Sequence, residues 1–439
     1  MGHRVVNFSQ EQLGVIPHLD HSTSFPQQLV LTKRKAAQAA RSQKAKGKSK
    51  TKAEVDYSDE KDDSDPFAGN KFSLVCTDGA ERHFAVERTI YQANGIIGRG
   101  SSVFLVECKE DDRQSESRVA PSSSWEGKKF VVKFSFPSDT REPEDAFVNH
   151  ARNIAKGGHA WATNHLPLLH DCLTVSFGLD TVQYRLKEFF NKRKKSYEVR
   201  VLCIAIFEKL CSLDDLKTPE EAAQVFYDIL QVHRWLYTEA NILHRDLSMG
   251  NIMLRRVGGK VYGVLNDFNL SSFLPLRDEP SSKWRTGTRP YMSRDLLAEG
   301  WCGGPLYRHD LESLFYIMLI LCCHYKSPDK ALPFKDWPYK MWFTSDDATV
   351  AVQKVNLFFT PSTFPLQSHF ERFRKWLDAI YRCFGLGYLH RHRQGLLGDP
   401  INNEEQETLA GHVTYAKMDE LMRSFDDTNL QQRWPRNGQ

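Results

Sequence analysis

The sequence has no Cys-x-x-Cys pair among its nine cysteines. Scattered thiols in odd number argue against a zinc site or a disulfide framework and for a reduced, intracellular chain, cytoplasmic or nuclear. No apolar stretch opens the N-terminus, "MGHRVVNFSQ", so no secretory signal is expected. Gly2 is present, but Val6 stands where a myristoylation signal needs Ser or Thr. Long hydrophobic runs are missing too. The longest, "LFYIMLILCC" from Leu314 to Cys323, is too short to span a bilayer and reads as a buried core helix. No sign of charge dominates: 59 Lys and Arg against 55 Asp and Glu leave a net +4. That balance gives no case for a nucleic-acid binder. No internal repeat is visible.

What is present suffices for sizeable cores. The 439 residues are 41% hydrophobic and 12% aromatic, enough for about two to three ordinary domains or one bilobal unit with tails. Residues 33–66 stand apart. "KRKAAQAARSQKAKGKSKTK" carries nine basic residues and no acid, and "EVDYSDEKDDSDP" then carries seven acids and one lysine. Such blocks cannot bury a core, so residues 1–66 are expected to be largely disordered. The basic run 33–52 is either a solvated linker or a polyanion-binding or nuclear-import patch. Strand patterns follow in "KFSLVC", "RHFAVERTI", "SVFLVEC", "KFVVKFSF" and "VRVLCIAIFEKL", and a helix in "EDAFVNHARNIAKGG". Helical patterns dominate afterwards, beginning with "PEEAAQVFYDILQVHRWLYTEAN". Strands first and helices later predict an α+β, bilobal chain. Its strand-rich part is 67–208, its helical part 209–425, and a short tail spans 426–439.

The chemistry concentrates in "HRDLSMGNIML", residues 244–254. Phosphoryl transfer needs an acid to receive the proton of an attacking hydroxyl and oxygen donors to hold a metal against phosphates. Asp246 is placed for the first task and Asn251 for the second. A strand, "KVYGVL", then runs into "NDFNLSS", where Asp267 would be the principal metal ligand. Upstream, Lys133 lies inside the apolar strand "FVVK", which is costly unless its ammonium is paired. Glu144 on the following helix is the favoured partner and Glu142 the alternative. Gly98 and Gly100 in "IIGRGSSVF" would let backbone amides approach phosphates. A bland reading exists for each alone: a hairpin turn, a snorkelling lysine, a turn-forming Asp.

Together the segments "GRGSSVF", "VVKF", "HRDLSMGN", "GVLNDFNLS", "RTGTRPYMSRDLL" and "RHDLESLFYIML" resemble a protein kinase, and more narrowly the fungal-type protein kinase family. The resemblance covers roughly residues 90–325. It implies a bilobal kinase fold with a strand-rich N-lobe and a helical C-lobe. It also implies ATP and Mg2+ as cofactors and Ser or Thr hydroxyls of a protein substrate as acceptors. Ile97, Gly98, Gly100, Val131, Lys133, Glu144, Phe207, Glu208 and Leu210 would contact ATP, with Phe207 as gatekeeper and Glu208 to Leu210 as hinge. Asp246 would be the base, Asn251 and Asp267 the metal ligands, and Asp310 the anchor of the catalytic loop. Thr288 would orient Asp246. Arg245 would await a phosphate on Ser281, Ser282 or Thr286, and Asp295 would close the activation segment. No membrane partner is expected, nor nucleic acid beyond weak contact by 33–52.

The chain departs from the general kinase pattern at four places. Ser102 or Val103 replaces the third glycine, or the loop is two residues shorter; Ser248 replaces the catalytic-loop lysine, Asn269 the glycine after Asp-Phe, and Ser293-Arg294-Asp295 the usual Ala-Pro-Glu. Asparagine tolerates a left-handed backbone at modest cost, so Asn269 is expected to permit the active arrangement. A pseudokinase scaffold on the same fold is the alternative function. A small-molecule phosphotransferase is a weaker one, since "TGTRPYMSRD" suggests a substrate-seating segment.

Overall fold

The structure, a computed structural model, describes residues 65–93, 100–112, 124–176, 182–195, 197–275, 287–360, 363–398, 400 and 402–435. Two compact units divide the chain: one runs to Asp145 and adds Leu168–Lys209, the other is Ala146–Pro167 with the chain from Leu210 onward.

The first unit is a six-stranded antiparallel sheet. Its strands are β1 (Lys71–Val75), β2 (Glu81–Gln92), β3 (Ser102–Asp112), β4 (Lys129–Ser135), β5 (Leu169–Val175) and β6 (Leu202–Glu208), in the order β1-β2-β3-β4-β6-β5. Period-two alternation sends Phe72, Leu74, Phe84, Phe104, Val106, Phe130, Val132, Phe134, Ile204 and Ile206 into one core. The opposite face of the central strands carries different chemistry. Val103 and Ala205 flank Lys133 in register, and Leu105 and Phe207 flank Val131. Directly paired residues point the same way, so one surface presents Val103, Leu105, Val131, Lys133, Ala205 and Phe207. Helix α1 (Glu144–Ile154) starts in this unit, and α2 (Val182–Asn191) lies between β5 and β6.

The second unit is helical. Helix α3 (Pro219–Thr238) begins with Thr218 accepting the Glu221 N–H and Pro219 in its first turn, two standard start signals. After it come the pair β7 (Ile242–Leu243) and β10 (Ser272–Phe273), and between them the hairpin of β8 (Ile252–Val257) and β9 (Lys260–Leu265). Helices α4 (Arg294–Leu297), α5 (Tyr307–His324), α6 (Met341–Thr344), α7 (Asp347–Phe359), α8 (Arg374–Leu397), α9 (Asn403–Thr408) and α10 (Tyr415–Met422) complete it. Helix α5 is buried at every residue, its charged Arg308, Asp310 and Glu312 included, and each of these has a hydrogen-bond partner, as buried charges need. Among the described residues no helix is long and apolar enough to cross a membrane. Of the aromatic stretch 334–343, only Trp342 is buried.

Two boundaries differ from the sequence reading. Residues 146–167 pack with the helical unit rather than the strand-rich one. Phe147 stacks on Phe273 (4.5 Å between centroids), His150 Nε2 meets Ala240 O (3.0 Å), and Arg255 donates to Leu166 O (2.9 Å). The expected tail from 426 is also tied down, as far as Pro435. Gln431 N donates to Gln224 (2.7 Å), Arg433 pairs with the fully buried Asp228 (3.0 Å), and Trp434 stacks on Trp161. A buried carboxylate needs such a partner, and α3 takes it from the C-terminal segment.

Gly263 on β9 is where that packing is tightest. A Cβ there would lie 2.7 Å from Val225 O and 3.2 Å from Asp228 Cβ. Both belong to α3, and a backbone oxygen cannot swing aside. We expect Gly263→Ala to cost about 1–3 kcal/mol of stability through overpacking. Denaturant titration of the full chain measures it, and an unchanged midpoint would show that α3 yields freely.

Candidate active site

Lys133 and Glu144 form a buried ion pair. Nζ to Oε2 is 2.9 Å, and both residues are less than a tenth exposed. Glu142 is exposed, so the structure decides between the two candidate partners. The pair forms because β4 is central and α1 starts with its acids: Glu144 and Asp145 occupy the first turn, where the helix dipole favours them. Phe207 is buried at 6% exposure, and Glu208 closes β6 with its N–H donated to Leu168 O (3.0 Å). Gly100 enters β3 with φ +54, a conformation that favours glycine. Ile97 and Gly98 lie outside the described residues.

In the helical unit the residues of the expected catalytic loop are brought together. Asp246 Oδ1 accepts two bonds from Thr288, one from its N–H (3.0 Å) and one from its hydroxyl (3.1 Å). Asn251 Nδ2 donates to Asp246 O (2.7 Å), which turns its amide oxygen the other way. The Asn251 carbonyl accepts the Asn266 N–H (2.8 Å), tying the 246–251 loop to the strand end that carries Asp267. His244 is fully buried, meets Asn266 O through Nε2 (3.0 Å) and packs edge-on against Phe268. Burial pushes its imidazole down to about 4 against the opposing charge of Asp310, so at neutral pH it is an uncharged prop.

The left-handed backbone is at Asp267 (φ 61) and Arg245 (φ 70), not at Asn269. Asn269 lies in the short turn Phe268–Leu270 and donates its N–H to Asp267 Oδ1 (3.2 Å). The expected strain therefore falls two residues earlier, on an aspartate, a residue type that tolerates this conformation. Arg245 donates its N–H to Asp310 Oδ2 (2.9 Å) and its Nη1 to Ser272 (2.6 Å). Ser281, Ser282 and Thr286, the candidate phosphate acceptors, lie outside the described residues.

Asp310 has further partners that motif reasoning missed. His233 Nε2 lies 2.9 Å from its Oδ2, and the Tyr415 hydroxyl lies 2.8 Å from His233 Nδ1. Burial alone would raise Asp310; the bond from His233, the nearby His244 and the Arg245 N–H outweigh it and hold the carboxyl low. Burial pushes the Tyr415 phenol well up, so it stays a donor. A relay thus runs from α10 through α3 and α5 to the catalytic loop. At the end of the activation segment, Asp295 is gripped by Arg391 through both carboxylate oxygens (2.7 and 2.6 Å) and by Arg308 (2.7 Å).

A sequence model described as fungal protein kinase matches residues 64–322. The chain belongs to the fungal protein kinase family. It has the α+β protein-kinase fold, strand-rich in its N-terminal part and helical in its C-terminal part. Among solved structures, vaccinia related kinase 3 is similar at 15% identity, with 72% of this chain and 84% of that one covered and a TM-score of 0.40. The Cydia pomonella granulovirus kinase PK-1 is similar at 14% identity, with 77% and 92% covered and a TM-score of 0.41. No curated protein matches the chain.

The Lys133–Glu144 pair gives a direct test. Lys133→Met removes the charge and keeps the stem. We expect transfer to fall by about 10²-fold or more, the loss typical of deleting one preorganised electrostatic group. The single variant also leaves Glu144 buried without its cation, which destabilises. Lys133→Met with Glu144→Gln should therefore recover melting temperature and not activity. Recovery of both would make the lysine a structural residue.

Proposed function

We propose that this fungal-family kinase is an active enzyme that transfers the γ-phosphoryl of Mg-ATP to Ser or Thr hydroxyls of protein substrates. The observation that carries the reading is the pair of hydrogen bonds that Thr288 donates to Asp246. It fixes the base, in a loop already braced by Asn251, Asn266 and Asp310. A positioned carboxylate is what an incoming hydroxyl needs, because catalysis here is mainly placement and charge neutralisation.

The donor set suits a hard cation. Asn251 and Asp267 offer amide and carboxylate oxygens. Magnesium usually takes one or two protein ligands and completes its shell with phosphates and water. When bound, the metal neutralises charge on the phosphates. The chain's own residues do the rest. Lys133, held by Glu144, would bind phosphate oxygens; Asp246 accepts the proton as the substrate oxygen attacks; Thr288 keeps the carboxylate aimed. The backbone around Glu208 and Leu210, with Phe207 and Val131, would receive the adenine ring.

The pseudokinase reading draws on Ser248 and on the missing third glycine. Both weaken the grip on phosphate. Transfer of radiolabelled γ-phosphate from Mg-ATP to casein, followed by identification of the modified residue, separates the two. Labelled phosphoserine or phosphothreonine supports the enzyme. Nucleotide binding without transfer to casein or to the chain itself would establish the scaffold.

A further inference from the structure

Lys354 lies on α7, in the apolar run "ATVAVQKVNLFF", and is fully buried. An ammonium in that position is costly unless every N–H is well placed. Its Nζ donates to Pro290 O (2.9 Å) and to Met292 O (2.5 Å). It also lies over the rings of Tyr316 (3.9 Å to the centroid) and Trp342 (4.8 Å), whose faces attract a cation. The Tyr316 hydroxyl donates in turn to Glu312 (2.5 Å), and Glu312 accepts the Arg294 N–H (2.8 Å). Burial holds the Lys354 ammonium well below the ordinary lysine range, with Glu312 opposing.

The two carbonyls belong to the turn that ends the activation segment. Thr288 O accepts the N–H groups of Tyr291 (2.9 Å) and Met292 (3.2 Å), so Thr288 is part of the same turn. Arg289, on its outer side, pairs with Asp347 (2.6 Å), the first residue of α7, and donates to Ser345 O (2.8 Å) in the link just before it. Helix α7 therefore holds residues 289–292 twice, through a buried lysine below and an exposed ion pair above. The turn it holds is the one whose Thr288 aims Asp246.

We propose that α7 is a clamp on the substrate seat, with Lys354 as a positioning residue for phosphoryl transfer to protein. The proposal rests on the kinase reading above for its catalytic consequence, but the clamp itself is a structural claim that can be measured alone. A merely space-filling lysine would be replaced by methionine, of similar length, with no local effect on this turn. A clamp would not.

Hydrogen exchange and steady-state kinetics on the full chain test it with Lys354→Met and with Arg289→Gln, whose exposed side chain can be changed without disturbing the core. Exchange in the peptide covering 287–293 should rise by about tenfold in the methionine variant, and by less in the glutamine one, with the peptide covering α5 unchanged. The kcat/KM for casein should fall by about tenfold, as small displacements of positioned groups do. The KM for ATP should stay within about twofold, since none of the residues proposed to bind ATP lies in this turn. Unchanged exchange at 287–293 in both variants, or a rise shared equally by α5, overturns the clamp. A fall in casein and ATP parameters alike overturns the positioning role. If the wild type labels neither casein nor itself, the catalytic reading fails, and the exchange result still decides whether α7 clamps the turn.

Discussion

Asp246→Asn should lower phosphoryl transfer by about 10²-fold to 10⁴-fold while leaving nucleotide affinity near that of the wild type. The substitution is nearly isosteric. Its amide oxygen can still accept from the Thr288 N–H and hydroxyl, as Asp246 Oδ1 does at 3.0 and 3.1 Å. The loop geometry should therefore survive, and what disappears is the ability to receive a proton. Asp267→Ala should behave differently. It removes a carboxylate oxygen that would hold the metal under this proposal, so magnesium-dependent nucleotide binding itself should weaken. Transfer rates at saturating Mg-ATP, measured beside nucleotide titrations with and without magnesium, distinguish the two roles. Equal transfer by wild type and Asp246→Asn would remove Asp246 as the base.

Much of this site was legible because local chemistry betrayed it. A lysine inside "FVVK" has to find a counter-charge, and Glu144 in the first turn of the next helix was within reach. The order of Asp246, Asn251 and Asp267, broken only by a short hairpin, marked the loops proposed to carry the base and the metal ligands. Asp310 could be named from the segment that carries it. The relay beyond it could not. Tyr415 and His233 are 182 residues apart in sequence, and neither sits in a motif. Only the packing of α10 on α3 brings them together, and periodicity shows which face is buried without showing what it meets. The same holds for Arg433 on Asp228, which turned an expected tail into part of the helical unit.

Two misplacements are instructive in different ways. Asn269 looked like the strained residue because it replaces glycine. The turn instead puts φ 61 on Asp267, whose carboxylate then caps the Asn269 N–H. A side chain that can hydrogen-bond its own turn offsets a left-handed backbone, so the absent glycine is less consequential than composition suggests. Lys354 was overlooked although it carries the signal that revealed Lys133: one lysine in an apolar run. Its partners are main-chain carbonyls and ring faces rather than a carboxylate, and no sequence pattern announces those.

Asp295 should carry the largest share of stability of any single carboxylate described above. It is 4% exposed, and Arg308 beside it is fully buried. Asp295→Ala would leave both Arg308 and Arg391 without their shared acceptor, a change expected to cost about 3–5 kcal/mol. Asp295→Asn keeps the volume and one acceptor oxygen, so it isolates the charge. The pH dependence has a definite sign. Burial alone would raise the carboxyl; the bonds from Arg391, the nearby His309 (3.7 Å) and the charge of Arg308 reverse this and hold it well below the ordinary Asp value. A group whose folded pKa is depressed stabilises above its unfolded pKa, about 3.9, and loses that contribution as pH falls through the lower folded value. The gap in unfolding free energy between wild type and Asp295→Asn should therefore be flat from about pH 5 to 8 and shrink at more acid pH, where the wild-type carboxyl is itself neutralised. Urea titrations of both proteins across that range provide the measurement. A gap that widens on acidification, or one below about 1 kcal/mol at pH 7, where exposed pairs fall, would mean that Arg308 and Arg391 find other acceptors and that Asp295 does not anchor the end of the activation segment.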